Sequence, residues 1–129
     1  MIEVQGFAES SLGESVRVVA RSLGVEVQTD REPDQNRFIR SDQYSFIRAG
    51  VPALAFKFGY EFGTQDEKTR LAWVRDRYHQ PSDDLNQPVD LEAAAKFTRV
   101  IMGLLQRVAD DPTRPSWNAD SFFKRFAQK

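Results

Sequence analysis

Val51-Pro52-Ala53-Leu54-Ala55-Phe56-Lys57-Phe58 is the most strand-like run in this chain. It is nearly continuous and apolar, a pattern that suits a strand buried on both faces, as in a parallel sheet. Its proline belongs at the strand's start, where a missing backbone donor does little harm. Gly50 precedes the run and closes a short helix expected over Tyr44 to Ala49, with Ser41 or Asp42 as its cap.

Working outward, the N-terminal side supplies two more strands and a helix. Ile2 to Gln5 alternates as a short strand does and ends at Gly6, while Val25 to Gln28 alternates in the same way. Between them, Ser11 and Glu14 have capping-box spacing, and Leu12, Val16, Val19, Ala20 and Leu23 repeat at helical spacing up to Gly24. Thr29 to Asn36 is polar, contains Pro33 and reads as a surface loop.

On the C-terminal side, Gly59 to Gly63 reads as a loop. Thr64 and Glu67 repeat the capping-box spacing ahead of a charged helix to about Arg75. A longer helix opens at Asp90 with the stripe Leu91, Ala94, Ala95, Thr98, Ile101, Leu105 and Val108, and Asp111-Pro112 stops it. The domain reading is a body over residues 1–111 and an aromatic tail over 112–129. Trp117, Phe122, Phe123 and Phe126 suggest that the tail docks. Strands alternating with helices give an α/β class with a small, mostly parallel or mixed sheet. Three strands leave bare edges, which proteins usually pair or cover.

Composition narrows the function classes. At 129 residues, 40% hydrophobic and 29% charged, the chain can bury a core as one domain. Its 18 Lys+Arg against 19 Asp+Glu leave a net charge of -1, so nothing points to nucleic acid or a membrane surface as partner. There is no cysteine, which excludes disulfides and Cys-based zinc sites. The sequence contains no nucleophile elbow, P-loop, dinucleotide fingerprint or HExxH motif. One histidine is present, in Tyr78-His79-Gln80-Pro81-Ser82-Asp83-Asp84. A lone histidine is most often a surface or hydrogen-bonded structural residue. Asp83 and Asp84 would ordinarily serve a turn, and Asp42 a helix cap.

Two segments carry a resemblance. Arg40-Ser41-Asp42-Gln43-Tyr44-Ser45-Phe46 followed by Ala49-Gly50-Val51-Pro52-Ala53 is similar to the "SDH-x-x-F…aG-x-P-a" segment of co-catalytic zinc aminopeptidases. Their superfamily also holds glutamate carboxypeptidase, glutaminyl cyclase and the transferrin receptor. Tyr78 to Asp84 resembles its "YH-x-p-x-D" segment, and the helix from Asp90 its closing helix, so the likeness runs from about Glu3 to Ala109. It implies part of a three-layer α/β/α zinc-peptidase fold.

For individual residues, the resemblance implies that His79 is a zinc ligand. Asp83 would shape the ligand loop, with Tyr78 beside it. Asp42 would lie near the metals, and Gln43 departs from the commoner histidine. Tyr44 and Tyr60 could line a pocket, whereas Phe46 fits core packing. Two zincs about 3.5–4 Å apart share the attacking water in such enzymes. Their other ligands and the general-base glutamate belong to an upstream half, represented here by neither a second histidine nor a Glu-Glu pair.

The strand-like opening at Met1 fits a C-terminal portion lacking that half. No catalytic residue is then expected in this chain, no zinc is expected to bind it alone, and a peptide substrate would require completion by the other half. Parents of this type are often secreted or periplasmic, and the segment that would show a localisation is not among these residues. The alternatives are a stand-alone, non-catalytic module forming a homodimer through the open sheet edge, and a metal site shared between chains.

Overall fold

The computed structural model describes residues 1–127. Its centre is strand β1 (Ile2–Gln5), flanked by β2 (Val27–Thr29) and β3 (Ala55–Phe58) in the order β2-β1-β3. β1 runs parallel to β2, with Glu3 beside Gln28, and antiparallel to β3, with Glu3 beside Lys57. The helices are α1 (Leu12–Ser22), α2 (Gln43–Arg48), α3 (Gln65–Asp76) and α4 (Leu91–Asp110). Short 3-10 turns occupy Pro33–Gln35, Arg37–Ile39 and Phe122–Phe126. The fold is a small α/β structure with a mixed, open sheet.

One sequence expectation about the sheet is corrected. The run from Val51 does not build a strand buried on both faces. It narrows to Ala55–Phe58, antiparallel and at an edge, with Pro52 ahead of the strand. The strand covered on both faces is β1, all four residues of which are buried. Its alternation therefore separates two interiors. Ile2 and Val4 join Val16, Val19, Ala20, Val100 and Leu104 in the apolar core beneath α1 and α4, and Glu3 and Gln5 are buried on the other side. The apolar residues of the later run serve one face only, where Leu54 and Phe56 border this core and Phe58 packs on Phe97 at 4.8 Å.

The stripe expected on α4 is also rotated. The residues facing the core are Phe97, Val100, Ile101, Leu104 and Val108, while Leu91 and Leu105 are 77% and 59% exposed. This helix carries two apolar stripes, and periodicity alone does not say which one meets the sheet. Asp90 caps it as expected, accepting from the Ala93 N–H at 2.9 Å. The Ser11 cap does not form. Its hydroxyl instead accepts from the Ser116 N–H at 3.0 Å, tying the C-terminal tail to the start of α1.

Further tail contacts fix the segment before β3. The Trp117 indole N–H donates to the Gly50 carbonyl at 3.1 Å, Phe123 meets Phe38 edge-on at 5.5 Å, and Ser10 bridges to Trp117. Phe38 in turn lies over Gly6, whose φ of +78° and lack of a side chain permit the approach; a Cβ there would sit 2.3 Å from the ring. Residues 128 and 129 of the expected tail lie outside the described residues.

The rotated stripe can be tested by paired truncations. Leu104→Ala should cost about 3 kcal/mol through a cavity in the core, and Leu105→Ala less than about 0.5 kcal/mol. Chemical denaturation would compare them, and equal losses would contradict the assignment.

Candidate functional site

His79 lies just beyond α3, a helix with no buried residue. Thr64 caps α3 by accepting from the Glu67 N–H at 3.4 Å, and the Glu67 carboxylate accepts from the Gly63 N–H at 2.7 Å. With little apolar area to dock, α3 is held by charge. Arg70 pairs with Glu32, which also takes Arg37 at 3.0 Å, and the Arg70 guanidinium lies 4.9 Å over the Tyr60 ring.

The histidine loop begins at the end of this helix. His79 is exposed, stacks on Tyr78 at 3.8 Å, and adopts φ of +59°. Left-handed backbone costs a residue with a Cβ about 1 kcal/mol, so the loop's other contacts must sustain it. Asp83 accepts from the Gln87 side-chain amide at 3.0 Å, and Gln87 accepts from the Trp73 indole at 3.1 Å. Asp84 accepts from the Asn86 N–H at 2.8 Å and lies 3.7 Å from Arg77. Both aspartates are therefore occupied with loop structure. Neither ring nitrogen of His79 makes a hydrogen bond among the described residues, which leaves both open toward solvent.

The other motif forms a separate group. Asp42 is exposed at the start of α2 and makes no side-chain cap bond, and the Gln43 amide donates to the Phe38 carbonyl at 2.7 Å. Tyr44 is half-buried. Tyr60 is 4% exposed, its N–H donates to the Gln28 side chain at 3.1 Å, and burial pushes its hydroxyl pKa up. No hydrogen bond, ion pair or ring contact among the described residues joins Asp42, Gln43 or Tyr44 to His79 or Asp83. Phe46, expected in the core, is 60% exposed, and Ile47 is the α2 residue that is buried.

A zinc centre can be weighed on these donors. The described residues assemble no group of three His, Asp or Glu side chains able to hold a metal ion. A catalytic zinc needs about three protein ligands, so these residues do not make such a centre by themselves. His79 is exposed and contributes one imidazole, with no second histidine beside it.

The family model described as Peptidase family M28 matches residues 1–105, which include both motifs. The chain belongs to peptidase family M28. No curated protein and no solved structure matches it. Membership establishes descent from metallopeptidases and agrees with the mixed α/β sheet. The M28 match also takes in a polar cluster that the sequence reading did not single out.

That cluster lies on the face of β1 turned away from the apolar core. Glu3 is buried there beside Gln5, which donates to its carboxylate at 3.2 Å. Lys57 faces it from β3, with a buried ammonium that makes no hydrogen bond. Burial pushes the Glu3 carboxyl above its ordinary 4.5, against the pull of Lys57. Burial, then Arg37, pulls the Lys57 ammonium below its ordinary 10.5. The alternation of Ile2 to Gln5 was a signal, but it reads equally well as a strand facing solvent.

A pH dependence follows from the Glu3 shift. The folded chain holds this proton more tightly than the unfolded chain, so its stabilising share is complete below pH 4.5 and is lost as pH rises through the elevated value. Denaturation curves from about pH 4 to 7 should show the wild type losing stability relative to Glu3→Gln. A constant difference across that window would count against the assignment.

Proposed function

We propose that this chain carries the C-terminal part of an M28 zinc aminopeptidase domain and that its His79 is one zinc ligand. The remaining ligands and the general-base glutamate come from residues beyond these 129. The observation that carries the reading is His79 itself, an exposed imidazole on a braced loop inside the M28 match. Neutral imidazole is a usual zinc donor. Asp42, Gln43, Tyr44 and Tyr60 would border the substrate in the completed domain, with Asp83 and Tyr78 shaping the ligand loop. Unpaired surfaces support completion by further elements. Among the described residues β3 pairs with β1 alone, and Phe46, Val51, Phe58, Leu91, Met102 and Leu105 are exposed apolar side chains.

On this reading the isolated chain does not hydrolyse peptides and takes zinc weakly, through one histidine. Because His79 is the single histidine, its ring protons give an unambiguous NMR signal. Zinc should move that signal, and His79→Ala should abolish the response. Aminopeptidase activity of the purified chain that survives His79→Ala would overturn the proposal, as would a His79 signal indifferent to zinc.

A second reading rests on the free edge of β3. Two copies could pair there as a non-catalytic homodimer. Light scattering should then show a dimer, and a monomer at high concentration would reject this alternative.

A further inference from the structure

We infer that Arg77 is the positioning residue of the His79 loop and sets the direction in which the imidazole is presented. The functional consequence rests on the reading of His79 as a ligand; the geometry does not. Residues 78–86 are all exposed, so burial cannot fix their shape. His79 nevertheless holds a left-handed backbone conformation, which a residue with a Cβ resists.

Both ends of Arg77 act on the loop. Its N–H donates to the Trp73 carbonyl at 2.9 Å, anchoring it to the last turn of α3. Its own carbonyl accepts from the Gln80 N–H at 2.9 Å. That bond closes a four-residue turn with His79 at the third position, the place where a type II turn takes a positive φ. The guanidinium then donates to the carbonyl of Ser82 and, at 3.3 Å, to that of Asn86, with the Asp84 carboxylate at 3.7 Å. The Ser82 hydroxyl reaches back to the Asp76 carbonyl at 2.5 Å. One planar fork thus gathers three points spread over five residues, and the turn bearing His79 is trapped between them and the helix. A lysine, with a compact ammonium, cannot span the same points.

The test compares Arg77→Ala and Arg77→Lys with Arg75→Ala, since among the described residues Arg75 pairs with its neighbour Asp76 alone. In the wild type, the Tyr78 ring stacked on His79 should displace the histidine ring-proton signals from their denatured-chain positions. Arg77→Ala should return them toward those positions and remove the Tyr78–His79 nuclear Overhauser contacts, with core amide signals unchanged. The zinc concentration that half-shifts the His79 signal should rise about tenfold. Arg77→Lys should fall between, and Arg75→Ala should match the wild type. Unchanged His79 signals and an unchanged zinc midpoint in Arg77→Ala would overturn the inference. If zinc moves no wild-type signal, the ligand reading falls, while the ring signals and contacts still decide the role of Arg77.

Discussion

The pairing of β1 on both edges is the constraint on which the rest of the structure depends. A strand with neighbours on either side has no solvent edge, and here both of its faces are covered as well. Ile2 and Val4 therefore anchor the apolar core, and Glu3 and Gln5 must be accommodated in a polar interior. Charges taken from water are tolerated only with partners. Glu3 has Gln5 as its hydrogen-bond partner, and Lys57 stands opposite on β3, pulling the Glu3 carboxyl pKa down without bonding to it. The surrounding arginines and acids of the loop after β2 and of α3 continue the same network.

That network shapes the candidate site indirectly. α3 buries no side chain, so its place depends on Arg70 reaching Glu32 and Tyr60 rather than on an apolar seam. The His79 loop hangs from the far end of this helix, and Arg77 gathers it. The chain thus separates its tasks. The α1–α4 side carries the apolar stability, and the opposite side carries charged, directional contacts that orient a loop. Polar contacts suit the second task because their geometry is specific while their net contribution to stability is modest.

The C-terminal tail adds a third tie. Through Ser116, Trp117 and Phe123 it joins the start of α1, the end of α2 and the Phe38–Gly6 contact, holding the segment that contains Asp42 and Gln43. The tail's aromatic composition suggested docking. Its targets, a backbone carbonyl at Gly50 and an edge-on ring at Phe38, are separated from it by many residues and carry no local signature.

Local chemistry made much of this protein legible. The α/β class, the caps at Thr64 and Asp90, the glycine turns at Gly24 and Gly50, and the two M28-like segments depend on residues close together in the chain. Their physics is short-range, so spacing reveals it. What tertiary structure alone decided was which surfaces meet. The alternation in β1 could not show that both faces are covered, and the two stripes of α4 could not show which one faces the sheet. The Val51–Phe58 run could not reveal that it supplies an edge. Nor could the sequence show that Arg77 gathers the loop that carries those aspartates. Burial and long-range pairing are properties of partners brought together by the fold, and those partners lie outside the reach of any local pattern.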